Sequence, residues 1–350
     1  QIIKRIINFK FFLYINTIEN FLLKKKLKKE IYKPIFITGL ARSGTTIISH
    51  ILNNHSNTGS FLYKDVPFFH TPYFWSFFSK LFYFGISKKK RPHGDDISID
   101  PNSPDPFEEF FWKNNLENYL NKKSQYLNKK YKNLLLERKL KENISKILFV
   151  RGSKERYISK NNYNITRLEY IFKIFPDAKA IICIRNPIES INSLTRVHQK
   201  FLNYCKKNEY LVNQLNFLSH YEFGPNRKPI CINNNIYNKI NYEWDKGNQE
   251  KGYLLQWIDI YTFVLKKYLS NKNLKKKFFI LDNDELIKNP INTIKKINIF
   301  FNLKDNDFFN KKITKLIKKK KNNYFCNIDD NLKKKSLKIY KTILNKNYEK

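Results

Sequence analysis

The sequence has no methionine, four cysteines, nine glycines and only ten arginines among its 67 basic residues. Each shortage excludes something. Four thiols in 350 residues cannot staple a disulfide scaffold. Cys183, Cys205, Cys231 and Cys326 form no CxxC pair and have no histidine at zinc-finger spacing, so no metal site is expected. This usage fits a reducing, cytoplasmic compartment. With no methionine even at position 1, the sequence is expected to begin downstream of its natural start. A membrane span needs about 20 largely apolar residues. The most apolar N-terminal stretch, Ile2 to Leu23, is broken by Lys4, Arg5, Lys10 and Glu19. It reads as a basic amphipathic helix, which either packs on its own domain or touches a membrane surface with residues 1–30.

Carboxylates are also scarce: 30 against 67 Lys and Arg, a net charge of +37. A nucleic-acid partner is nevertheless not expected. The basic residues are overwhelmingly Lys, scattered along the whole chain and accompanied by abundant Asn, Ile, Phe and Tyr, the pattern that an AT-rich genome imposes. Such a field still draws in anionic ligands of any kind. At 41% hydrophobic and 28% charged, the chain can bury a sizeable core.

Pro34–Gly39 is a short apolar run of the buried-strand kind, followed by a glycine-bounded turn and a helix over 45–52. Residues 60–112 are aromatic-rich and punctuated by proline, a long irregular stretch of the kind that carries function. Residues 113–143 read as a Lys/Asn/Leu helical region, Ile147–Val150 as a second strand, and 165–175 as a helix. Ala178–Ile184 is a strand leading into Arg185-Asn186-Pro187-Ile188-Glu189, a helix start with Asn as N-cap, Pro next and Glu in the first turn. A helix over 254–269, a strand over 278–281 and a helix over 291–301 follow. Alternating strands and helices give an α/β fold with a parallel sheet flanked by helices. The expected division is a helical extension over 1–33, one domain over 34–310 with 60–112 as its acceptor-side insert, and a Lys/Asn-rich helical tail over 311–350.

Gly39-Leu40-Ala41-Arg42-Ser43-Gly44-Thr45-Thr46 joins a strand to a helix, where backbone N–H groups and the helix terminus favour an anion. The glycines have the spacing of a nucleotide-triphosphatase P-loop, but Thr45 stands where that motif needs lysine, and the only cation is Arg42. The segment resembles the 5′-phosphosulfate loop of the sulfotransferases that use 3′-phosphoadenosine 5′-phosphosulfate (PAPS). The second family pattern, strand-R-x-P-x5-S, is matched by Arg185, Pro187 and Ser193. The resemblance spans roughly residues 34–302. Segments such as Arg91-Pro92-His93-Gly94-Asp95 and His220–Gly224 look like a bacterial subgroup, and Asp282–Pro290 resembles the family's C-terminal strand–helix junction without its usual Tyr.

The resemblance implies a P-loop-like three-layer fold and sulfuryl transfer from PAPS, leaving adenosine 3′,5′-bisphosphate, with no metal. It implies that Arg42 contacts the phosphosulfate and stabilises the leaving oxygen, that Ser43, Gly44, Thr45 and Thr46 cradle it, and that Arg185 and Ser193 bind the 3′-phosphate. Lys160 and Arg167 would lie beside the nucleotide or on the surface. Lysines 318–321 would close over it or form a solvated run.

The acceptor hydroxyl or amine must lose a proton. Asp65, in the segment after the first helix, is the first candidate base and His93 the second. Glu108 and Glu109 are further candidates, although acids at that position also suit a helix start. His198 and His220 read as structural or substrate-side. A P-loop kinase and a non-enzymatic binder of anionic polymers are the alternative readings. The acceptor, a carbohydrate among the options, is not named by the sequence.

Overall fold

A computed structural model describes residues 9–27, 30–66, 68–95, 97–104, 108–116, 119, 123–124, 126–303 and 328–348. Its helices and strands are α1 (Phe9–Leu23), β1 (Ile35–Thr38), α2 (Thr45–Asn53), β2 (Thr58–Gly59), α3 (Pro72–Phe82), β3 (Lys89–Lys90), β4 (Ser98–Ile99), α4 (Glu108–Asn115), α5 (Leu134–Val150), β5 (Arg156–Lys160), α6 (Leu168–Ile174), β6 (Lys179–Ile184), α7 (Pro187–Lys207), α8 (Glu209–Phe217), α9 (Asn234–Asp245), α10 (Gln249–Phe263), α11 (Lys272–Lys275), β7 (Phe278–Asp282), α12 (Asn283–Lys288), α13 (Pro290–Phe301) and α14 (Asp330–Tyr348).

Five strands form a parallel sheet in the order β2-β5-β1-β6-β7. β1 is central, with Phe36 opposite Ser159 on one side and Ala180 on the other. Its four residues are all buried, because helices cover both faces of the sheet. Phe36, Ala180 and Ile182 face the larger core with Ile171 and Tyr261. Ile35, Ile37, Ile181 and Cys183 face the smaller one with Ile48, Ile51 and Ile294. The carboxyl ends of β1, β5, β6 and β7 share one edge. β1 is where consecutive strands depart to opposite sides, the place at which such sheets bind ligands.

One strand expectation is corrected. Ile147–Val150 ends helix α5, in which Ile144, Ile147 and Leu148 are buried at helical spacing. The strand beside β1 is instead Arg156–Lys160, whose five residues are all buried despite their polarity. Its polar atoms are satisfied in place: Arg156 donates to the Lys33 carbonyl at 2.9 Å and to the Phe301 carbonyl at 2.5 Å, and Tyr157 donates to Glu108 at 2.9 Å. The apolar run of 254–269 is α10 continued by a π-helical turn, Val264–Leu269.

Helix α1 packs on the domain. Its Glu19 is buried against Lys146 and accepts from the Phe74 amide at 2.8 Å. Helix α14 is also docked: Tyr340 and Ile343 are buried, and the Tyr340 hydroxyl donates to Asp282 at 2.7 Å. Cys326 and lysines 318–321 lie outside the described residues. The other three cysteines are buried and free. Among the described residues no helix is long and apolar enough to cross a membrane.

Candidate active site at the carboxyl edge of the sheet

β1 ends at Thr38, and the chain turns back through Gly39–Gly44 into α2. The turn demands special backbone. Gly39 has φ +144°, and a Cβ there would run into the Cys183 carbonyl of β6. Gly44 has φ +98°, and its Cβ would lie 2.6 Å from Asn283 Oδ1 at the end of β7. Arg42 adopts φ +74°, a left-handed conformation that costs a non-glycine residue about 1–2 kcal/mol. Strain of this kind persists where the surroundings enforce it, often at working sites.

The turn is held by contacts from four separate segments. Arg42 Nε donates to Ser193 Oγ, two turns into α7, at 3.0 Å. Arg42 Nη1 donates to Asp95 Oδ2 at 2.7 Å. Arg91 clasps the same carboxylate, with Nε 2.9 Å from Oδ1, and reaches Thr46 Oγ1 at 3.4 Å. Thr45 Oγ1 donates to Asn162 Oδ1 at 3.2 Å, and Asn162 donates on to Glu222 at 2.9 Å. Tyr261, buried on α10, donates to the Cys183 carbonyl at 2.7 Å and accepts from the Leu40 amide at 3.4 Å, tying β6 to the loop. Ser43 Oγ, buried beside that hydroxyl, has no hydrogen bond of normal geometry. It faces the Tyr261 hydroxyl inside an anion-favouring turn.

The second motif folds as its sequence dictates. Asn186 caps α7, accepting from the Ile188 amide at 3.0 Å and the Glu189 amide at 3.5 Å, with Pro187 in the first turn. Arg185 is half-buried at the end of β6, and its Nη2 donates to Glu189 at 2.9 Å. Its positive field reaches Arg42. Burial lowers the Arg42 pKa, and Asp95 opposes that shift. Burial would raise Asp95, but bonds and charge from Arg91 and then Arg42 hold it far below the usual carboxylate range. The edge therefore sets two guanidiniums, Arg42 and Arg91, on the Asp95 carboxylate, with Arg185 nearby on Glu189.

The expected bases fare differently. Asp65 Oδ2 accepts from the Leu62 amide at 2.7 Å and pairs with Arg151, so this carboxylate fastens its own turn. Glu108 accepts from Trp112, Asn164 and Tyr157. Glu109 accepts from Asn161, Tyr119 and Arg167. Both acids belong to a buried network under α4, which they begin as expected. Arg167 is not a surface cation: it is fully buried, pairs with Glu109 and lies 4.4 Å over the Trp112 ring. His93 sits two residues before Asp95, packed on Phe201 and Phe223, with a buried Nδ1 that has no hydrogen bond. Burial, then the charges of Arg91 and Arg42, push its pKa well below 6.5 and keep it neutral. His198 accepts from the Gly224 amide at 3.1 Å, a structural role, and His220 lies 3.8 Å from Glu222.

Arg91, Asp95, Asn162, Glu222 and Asn283 had no role assigned from sequence. Arg91 and Asp95 flank His93 in a segment already notable as a motif, and that proximity was the available signal. Among the described residues no cluster of His, Cys, Asp and Glu has metal-binding geometry.

A model of the sulfotransferase family matches residues 34–223, more than half of the chain. Among solved structures, sulfotransferase STF1 from Mycobacterium tuberculosis H37Rv superposes with a TM-score of 0.51 at 12% identity, over 86% of this chain and 75% of that one. Sulfotransferase STF9 from Mycobacterium avium gives a TM-score of 0.47 at 14% identity, over 82% and 68%. No curated protein matches the chain. The parallel sheet with its P-loop-like turn and the family match lead to one assignment: the chain belongs to the sulfotransferase family and is a sulfotransferase.

Proposed function

We propose that the enzyme takes its sulfuryl group from PAPS and passes it to a hydroxyl or amine of its acceptor, a carbohydrate hydroxyl being one fitting case, in the cytoplasm. The observation that carries this reading is the Arg42–Ser193 contact, which brings the two halves of the donor motif to one point. PAPS supplies the activated sulfuryl group. The loop's N–H groups, Ser43 Oγ, Thr45 and Thr46 hold its 5′ end. Arg185, with Ser193 behind it, holds the 3′-phosphate. Arg42 would supply the positive charge that offsets charge developing on the leaving oxygen. Such fixed donors act without reorganising during the reaction.

His93 is the better candidate for the base. It is neutral and its Nδ1 is unspent, whereas Asp65 is committed to Arg151 and the Leu62 amide. Asp95 occupies Arg42 as an anion would, and donor entry draws Arg42 away from it.

The test is calorimetric titration with adenosine 3′,5′-bisphosphate beside ADP and ATP·Mg²⁺, using Arg42→Ala and Arg185→Ala as controls. Binding that needs the 3′-phosphate and disappears in both variants supports the donor. Equal weak binding of all three nucleotides, indifferent to Arg185→Ala, overturns it. Preference for ATP·Mg²⁺ would favour a kinase. Weak, salt-sensitive binding of any polyanion would favour an anionic-polymer binder.

A further inference from the structure

Helix α3 is built inside out. Trp75 and Ser79 fill its buried side, while Phe77, Phe78, Leu81 and Phe82 project outward, and the chain beyond adds Phe84 and Ile86. Leu81 is 79% exposed and Phe84 90%. Apolar side chains clustered in this way on a surface mark an interaction site. Helix α1 also exposes Tyr14, Ile18, Phe21 and Leu22, at helical spacing, and its buried Glu19 ties it to the first turn of α3.

The charges carried by the tip segment itself are all of one sign, although Lys88 lies 3.9 Å from Asp100 on the neighbouring segment. From Val66 to Gly94 the sequence holds no Asp or Glu, and Lys80, Lys88, Lys89 and Lys90 are exposed beside the aromatic tip. A second copy of this chain would set lysine against lysine across such a contact, on top of a net charge of +37 per molecule. An anionic bilayer accepts both parts, apolar side chains below the headgroups and lysines among them.

We propose that the α3 tip, residues 77–90, docks the enzyme on the surface of a membrane containing anionic lipid. The same segment runs straight into Arg91 and Asp95, which close over Arg42. Docking there places the sheet edge next to the lipid surface.

The experiment is flotation of the full chain with vesicles of phosphatidylcholine alone or with about 30% phosphatidylserine, at about 0.15 M and about 0.5 M salt. The comparison is the triple variant Phe78→Ser, Leu81→Ser, Phe84→Ser, whose unfolding midpoint checks its fold. The expected result is binding to the anionic vesicles, weakened by salt and reduced about tenfold in the triple variant. Three results overturn the proposal: no flotation, equal flotation of the variant (charge alone suffices), or a dimer in solution that the variant dissociates. The assay uses no nucleotide, so its outcome is independent of the donor reading.

Discussion

Arg42 Nε and Ser193 Oγ are 3.0 Å apart although 151 residues separate them in sequence. One side chain belongs to the turn after β1 and the other to the helix after β6, neighbours only because β1 and β6 pair in the sheet. The contact orders the experiments on them. Under the proposed donor reading, Arg42→Ala removes the charge assigned to the reacting bridge, and kcat is expected to fall about 100- to 1,000-fold. Ser193→Ala removes a support for Arg42 and, under the same reading, a donor to the 3′-phosphate, and KM for the donor is expected to rise about tenfold with a smaller change in kcat. Steady-state kinetics on the two variants checks the split.

In the proposed reading, Asp95, which holds Arg42 at 2.7 Å, competes with the sulfuryl donor for that guanidinium. Asp95→Asn removes that competitor's charge while keeping its shape, so adenosine 3′,5′-bisphosphate is expected to bind about tenfold more tightly, as calorimetry would show. The substitution also removes an ion pair from the apo fold. The folded Asp95 pKa is depressed, so its contribution is fully present above about pH 4 and is lost as pH falls toward the folded value. The wild-type chain is expected to lose this increment in acid, and Asp95→Asn has none to lose.

The histidines set a second acid limit. Burial, the first cause in each case, lowers His50, His70 and His198 to about 4 and His93 further below its usual value. Each is neutral when folded and would take a proton more readily when unfolded. Their stability contribution is therefore complete above about pH 6.5 and declines as pH falls toward the folded values. Thermal unfolding followed from pH 7 to pH 4 is expected to show a steadily falling midpoint. If His93 is the base, kcat/KM has no acid limb near pH 6.5, and His93→Gln lowers it by about 100-fold or more.

The Arg167–Glu109 pair lies in the core beneath α4. Replacing either partner alone strands a buried charge, and a loss of about 3–5 kcal/mol is expected in denaturant unfolding. Arg167→Met with Glu109→Gln is expected to recover part of it. Donor binding by whatever folds should be unchanged, because neither side chain contacts the loop residues.

The two motif turns were legible as structure because their signals are local. A glycine-bounded turn between strand and helix, and an Arg before an Asn-Pro cap, are written in consecutive letters and folded where their spacing put them. β5 was not legible because burial there is polar: Arg156, Ser159 and Lys160 look like loop residues until the carbonyls and side chains that receive them are in place. The four apolar letters Ile147–Val150 drew the strand assignment instead, although with Ile144 they continue a helical stripe. Asp65 reads in the sequence as an unpartnered acid because sequence cannot show Arg151, 86 residues away, which pairs with it.

Tyr340 holds Asp282, the last residue of β7, and the next residue, Asn283, rests against Gly44. The anion-binding turn near the start of the domain is thus backed by a strand that is itself steadied from a helix some 300 residues later. During synthesis, the turn is translated early and must wait, without its brace, until that helix leaves the ribosome. Ribosome-bound chains stopped before residue 330 would carry the whole turn from Gly39 to Gly44 and still lack its brace, so the finished edge depends on that distant helix having been made.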